Sequence, residues 1–364
     1  MTSHAKGAKM LRGAKATCKR CDLVLGSHSA IRLTERKTIL STMAIAWKQH
    51  IQNANWPMVF YLTFCHALAI VGLVAIPQCS WQTLAFTFVL AELSGLGITG
   101  GAHRLWSHRA FKAHWTVRVF LMLCNMVANQ GTVYHWSRDH RVHHKYSESE
   151  ADPHNALRGM FFAHIGWLLV KKDPKVIEAG NKMKYDDLLE LFEIRWQMAI
   201  NPWGNLFMSF GFPMLVCHYW FGESLWNGLM VAGFLRYVVI LHCTWLVNSA
   251  AHFYGETPYD PKIHPTENAI VALLAIGEGW HNWHHVFPYD YAASEFGIAS
   301  QYNPTKLFID ICAYVGLVTN RKRALKAWEA RRAKRETVDA FDIPDGYELK
   351  EGECEDAAPK AKAA

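Results

Sequence analysis

Charge is what this chain has least of. Lys, Arg, Asp and Glu make up 19% of 364 residues, and they almost completely avoid four stretches, at about 56–76, 81–101, 206–220 and 225–247. About 20 apolar helical residues match a hydrocarbon layer about 30 Å thick, so these stretches read as transmembrane helices. Lys and Arg are missing from the turns Pro77–Ser80 and Phe221–Glu223, yet abundant before residue 56, over 102–204 and after 248. The positive-inside rule then places both termini and the middle segment in the cytoplasm. No apolar leader is visible in the first 55 residues, so no cleaved secretory signal is expected. Paired cysteine motifs are lacking too. Nine cysteines are scattered, and the single CxxC pair, Cys18 and Cys21, reads as reduced thiols in a tail, with no disulfide framework. The formal charge of +7 favours anionic partners such as a lipid surface or a nucleotide-bearing substrate, but no nucleic-acid motif accompanies it.

The predicted fold is an all-α integral membrane protein, with four transmembrane helices in two hairpins under a helical cytosolic cap. Residues 1–55 form a basic cytosolic segment, 56–320 the membrane domain and 321–364 a charged cytosolic tail, helical over 321–336 and disordered beyond. Cap helices are expected over 117–128, 160–170, 185–200 and 268–276, with an amphipathic segment over 305–319.

What the chain has in excess is histidine, twenty in all. His140, His143 and His144 form an HxxHH box, and His281, His284 and His285 repeat it. Positions i, i+3 and i+4 share a helix face. Asn248 and His252 are again four apart. His103 and His108 are five apart, about 140° round an α-helix, which predicts that the helix ends or bends there. In the two-hairpin topology all four clusters meet just above one membrane face. Neutral imidazole is the commonest metal ligand, and its second nitrogen needs an acceptor. Asp139, Asp152 and Glu278 are near enough in sequence to serve. Nine imidazoles exceed the needs of one four-coordinate zinc. Two metals with four or five nitrogens each use them all, and such sites suit iron, although ligand type alone leaves other metals open. The blander alternative, histidines ranged along a membrane interface, does not require HxxHH twice.

Single residues carry less. Glu92, within the second apolar stretch, is either a functional group or a protonated, helix-paired one. His66 stands alone and reads as packed or interfacial. Of the other histidines outside the clusters (His114, His135, His154, His164, His218, His242, His264), only His154 is placed in sequence to support a ligand. Lys171 and Lys172 read either as a solvated charge run or as a phosphate-holding pair.

His-Arg-Leu-Trp-Ser-His at 103–108, Asp-His-Arg-Val-His-His-Lys at 139–145, Asn-Ser-Ala-Ala-His at 248–252 and Gly-Glu-Gly-Trp-His-Asn-Trp-His-His at 277–285, in this order, resemble the animal stearoyl-type acyl-CoA delta-9 desaturases over roughly residues 50–325. The resemblance implies two ferrous ions. His103, His108, His140, His144 and His284 would hold one, and His143, His252, His281 and His285 the other, with Asn248 acting through water. It implies a kinked acyl tunnel with Gln130, Trp136, Thr244 and Trp245 at the kink. Arg138, Asp139, Lys171 and Lys172 would contact CoA, and Ala91 and Gly95 would stand at the tunnel end. The chain departs from that family at Gly131, His135 and Trp283.

An unactivated methylene C–H bond does not yield to acid–base groups, so a redox metal and O2 are required. The expected reaction inserts a cis double bond, delta-9 by resemblance, into a saturated long-chain acyl-CoA. No strand, Gly-rich turn and helix unit marks a flavin or nicotinamide site, and no His-Pro-Gly-Gly haem motif appears. Electrons are therefore expected from separate cytochrome b5 and its NADH-dependent reductase, at the endoplasmic reticulum membrane. Two rival readings are a membrane di-iron hydroxylase and a metal transporter. The transporter predicts polar groups at the midplane of several helices, where only Glu92 and His66 are seen.

Overall fold

A computed structural model describes residues 52–335. The basic segment through residue 51, the Cys18 and Cys21 pair and the tail beyond 335 lie outside the described residues. The chain divides into Met1–Ala54 and Asn55–Ala364, and the second unit carries everything below.

Among the described residues, three helices are long and apolar enough to cross a membrane: Trp56–Gln78, Trp81–Ser107 and Leu225–Phe253. Phe60, Phe64, Val74, Trp81 and Phe88 project from the first two with more than half of their surface exposed, as side chains facing lipid do. The expected span at 206–220 is helical, in consecutive pieces Trp203–Leu206, Phe207–Gly211 and Phe212–Phe221. It is less apolar than the other three, because inward-facing polar residues interrupt it. Asn205 donates to the Gly131 carbonyl at 3.2 Å. Ser209 accepts from Arg236, whose guanidinium is 2% exposed and also reaches the Ala232 carbonyl and the Ser94 hydroxyl. A cation inside an apolar helix is tolerated when its donors are met in this way.

Small residues let the helices approach closely. A Cβ on Gly72 would lie 2.3 Å from the Met230 carbonyl oxygen, and one on Gly97 would lie 2.2 Å from the Asn125 amide nitrogen. Gly97 seats the second long helix against Trp115–Ala128, the first helix of the cap.

The second long helix does not end before its histidines. From Gly97 to Ser107 it widens into a π-helix, and the His108 amide donates to the His103 carbonyl at 3.1 Å. The helix was expected to end or bend here; instead this i to i+5 pairing brings His103 and His108 to a ring-centroid distance of 4.9 Å.

The first HxxHH box lies on Val133–Tyr146, whose N-cap Thr132 accepts from the His135 amide. The second opens the short helix His281–Val286. Of the expected cap helices, 185–200 is interrupted between Asp186–Leu189 and Phe192–Ile200, and the amphipathic segment 305–319 forms the helix Pro304–Tyr314 followed by a strand, Val318–Thr319, paired with Lys112–Ala113. The tail helix begins later than expected, at Leu325–Arg335. Its Trp328 packs with Tyr259, Trp283 and Phe287, so the Trp283 indole is fully enclosed.

Gly97→Ala is expected to prevent normal folding, since the added methyl meets backbone. The cost is at least about 2 kcal/mol by the scale of overpacked cores, read as lost monodisperse protein and a lower Tm. An unchanged melting profile would show that this helix crossing is looser than described.

Candidate metal centre

Nine imidazoles converge in two adjoining groups. His103, His108, His140, His144 and His284 form one, and His143, His252, His281 and His285 the other, with the ligand atoms of each group within 4.8 Å of one another. Nearest Nε2 atoms are 2.8 Å apart for His108 and His140, 2.9 Å for His103 and His284, and 3.0 Å for His144 and His284. In the second group His281 lies 3.1 Å from both His252 and His285.

These spacings test whether a metal fits. Two nitrogens about 2.1 Å from one ion are about 3.0 Å apart at a right angle, but about 3.4 Å apart at a tetrahedral angle. The observed separations match the right angle and not the tetrahedral one, and the five rings of the first group exceed a four-coordinate ion. Orientation points the same way. Asp152 accepts from His143 Nδ1 at 2.9 Å, which turns Nε2 of that ring toward the other imidazoles. Burial and neighbouring imidazoles push His108, His140, His144, His281, His284 and His285 well below the usual histidine range. These six rings are therefore neutral, each with a lone pair to give, and such a cluster can hold metal ions.

Carboxylates orient the rings from behind. Glu278 lies 3.0 Å from His103 Nδ1 and is itself gripped by Arg104 at 2.9 and 3.0 Å. Arg104 reaches on to the Tyr291 and Ala292 carbonyls and to Asn303. Against the cost of burial, Arg104 keeps the Glu278 carboxyl below its ordinary range, as His143 does for Asp152. Glu148 lies 3.4 Å from His252 Nδ1. Asp139 does not join this set and pairs with Arg138 and Lys172 instead. His154 sits beside His143 at a centroid distance of 5.4 Å, held neutral by burial with its range lowered to about 3.

Two cavities flank the imidazoles. The inner one is lined by Ala91, Glu92, Gly95, Ile276 and His103 among others, and the outer one by Asn55, Tyr61, Gln130, Asp139, Lys172 and Trp245 among others. Trp136, His140, Thr244 and Asn248 line both. At that junction Gln130 Nε2 donates to Thr244 Oγ1 at 2.8 Å, and Trp136 Nε1 donates to Gln130 Oε1 at 3.3 Å.

A fatty acid desaturase family model matches residues 79–294. The chain belongs to the fatty acid desaturase family. It is 51% identical over 286 residues to stearoyl-CoA desaturase 5 of Bos taurus, covering 78% of this chain and 85% of that one. Identity to stearoyl-CoA desaturase 5 of Homo sapiens is 50%, covering 78% and 86%. Identity to stearoyl-CoA desaturase 2 of Mus musculus is 48%, covering 77% and 78%.

The desaturase thus gathers the histidines named from its sequence into the two sets that the resemblance implied, and sets Asn248 at the cavity junction. Gln130, Trp136 and Thr244 come together there, and Trp245 lines the outer cavity. Asp139 and Lys172 line the outer cavity, whereas Arg138 and Lys171 do not. Arg104, Glu148 and Glu267 escaped sequence reading. A charge directly after His103 was the available signal for Arg104. Glu148 and Glu267 had none, since loop geometry brings them in.

Glu267 caps the first turn of the second box by accepting from the Trp283 amide at 2.9 Å. Burial pushes its carboxyl up to about 8. A raised folded-state value means that the unfolded chain releases this proton first. Its contribution to stability is full below about pH 4.5 and is lost as pH rises toward 8. Glu267→Gln keeps the acceptor without the proton, so the variant should gain Tm relative to the parent between pH 5 and 8. A difference that is flat with pH contradicts this.

Proposed function

We infer that this desaturase inserts a cis double bond, at the delta-9 position, into saturated long-chain acyl-CoA. It consumes O2 and takes electrons from cytochrome b5 and its NADH-dependent reductase. The reading extends to four transmembrane helices, both termini cytosolic, in the endoplasmic reticulum membrane. The observation that carries it is the pair of imidazole sets, spaced for ions of high coordination number, at the junction of two cavities.

Two irons held by the nine histidines would supply the redox chemistry that reduces O2 and removes one hydrogen from each of two adjacent carbons. The saturated chain gives up two electrons, the donor supplies two more with two protons, and O2 leaves as two waters. The remaining work falls to the chain's own side chains. The apolar inner cavity excludes water and holds the tail of the substrate. The hydrogen-bonded set of Trp136, Gln130 and Thr244 forces a bend where the two cavities meet, and so selects which carbons lie at the imidazoles. Lys172, braced by Asp139, offers a cation to the CoA phosphates at the outer mouth, with Arg138 and Lys171 nearby in sequence.

Expression in desaturase-deficient yeast, with gas chromatography of the lipids, tests the activity. Cis-monounsaturated acids are expected from the parent and none from His284→Ala. Hydroxy acids in place of olefins would convert the reading to a hydroxylase.

Chain length provides a second test. Ala91 and Gly95 are four apart and line one cavity, and a Cβ on Gly95 would stand 3.2 Å from Ile276 Cδ1. Two small residues leave room for a long tail. Ala91→Tyr or Gly95→Thr should shift the product ratio from eighteen toward sixteen carbons. An unchanged ratio in well-expressed variants removes these positions from the tunnel end.

A further inference from the structure

His66, solitary in the sequence, is not solitary in the fold. Its Nε2 lies 3.1 Å from His242 Nε2, His242 Nδ1 lies 2.9 Å from His164 Nε2, and His164 Nδ1 lies 2.8 Å from Ser249 Oγ. At the other end His66 Nδ1 is 2.7 Å from the Leu62 carbonyl. The chain joins the span Trp56–Gln78, the cap turn Phe162–Gly166 and the span Leu225–Phe253.

Its chemistry excludes two roles. The two ring nitrogens of His242 face opposite neighbours, so the three rings do not converge on a point and form no metal site. A carbonyl oxygen only accepts, so His66 carries its hydrogen on Nδ1. Each ring then accepts from the next, and the single Ser249 hydroxyl hydrogen is shared between His164 Nδ1 and the Trp245 carbonyl, each at 2.8 Å. With a carbonyl at the His66 end the chain has no outlet for a proton, and it is no conduit.

What it holds is the wall of the active site. Ser249 marks the break in the long helix, at φ −113° and ψ −80°. Asn248 precedes it, and the His252 amide donates to its carbonyl at 2.8 Å. The Ser249 hydroxyl also faces the Trp245 carbonyl at 2.8 Å. The Trp245 ring, 3% exposed, lies edge-on to His242 and His164 at centroid distances of 5.2 and 5.7 Å. Hydrogen-bonded chains in a low-dielectric setting are stiff when every member is satisfied and costly when one is removed.

We propose that His66, His242 and His164 are positioning residues. From behind the cavity wall they hold the helix break at Ser249, and through it set Trp245, Asn248 and His252. The proposal rests on the reading that the imidazole sets bind two irons.

The test is release of iron from purified, ferrous-loaded protein to a ferrous chelator, with Tm recorded in parallel. His242→Leu should release one of two irons at least tenfold faster than the parent and keep the other. His242→Gln, which again offers a donor and an acceptor, should behave like the parent. Release at the parental rate in His242→Leu overturns the proposal, as does acceleration of both irons together with no rescue by Gln, the result of general destabilisation. Should the Leu variant fail to fold, Ser249→Ala leaves the three rings in place and removes the hydroxyl that His164 and the Trp245 carbonyl share. Selective release is again expected, and parental release overturns the proposal. If the parent binds two irons but forms no olefin from acyl-CoA, the substrate reading falls while this comparison stands. If it binds no iron, the metal reading itself falls.

Discussion

Nine imidazoles facing one another at close range, most of them held neutral by burial, make a structure that needs cations. Each ring contributes a lone pair, and the lone pairs point inward because carboxylates or burial govern the opposite edge. His143 shows the logic most simply: Asp152 takes the Nδ1 hydrogen, and Nε2 is left to face its neighbours. Without positive charge between them, such nitrogens at about 3 Å repel. The cap, the widened second helix and the break at Ser249 serve to hold them there.

That demand explains features which are costly by themselves. A π-helix has poorer hydrogen bonding than an α-helix and is rare. Here it runs from Gly97 to Ser107 because only a wider turn lets residues five apart face the same point. Arg104, 1% exposed, would be expensive inside an apolar body. It is compensated by Glu278, two carbonyls and Asn303, and in return it holds the carboxylate behind His103. Gly97 is there because backbone meets backbone where the cap sits on the second long helix, and no side chain fits between them.

The two cavities make a metal centre selective. An apolar pocket has little means of choosing among methylenes, which differ only in position. A bend has, since it lets a long chain lie in one register. Trp136 and Thr244 belong to both cavities, and Gln130 ties them together through its amide. The bend is thus built from hydrogen bonds that link the turn after Trp115–Ala128, the helix Val133–Tyr146 and the span Leu225–Phe253.

Much of this was legible in the residues. Apolar runs gave three long helices near their expected limits, because the length needed to cross a bilayer is a property of the local chain. Helical spacing put each HxxHH box on one face, since i, i+3 and i+4 are neighbours on any α-helix. Other features were decided only by packing. The α-helical offset of His103 and His108 called for an end or a bend in the helix, whereas a widened turn carries the helix on and joins them. The stretch at 206–220 is helical like the others, but packing turns its Ser209 inward to Arg236. Asp139 was near the histidines in sequence but pairs with Lys172 in space. Glu148 and Glu267 reach the site from loops whose sequence carries no period, and His66 finds His242 and His164 across three separate segments. Local chemistry and spacing were set by the chain itself, while partnership across it depended on which surfaces the fold brought into contact.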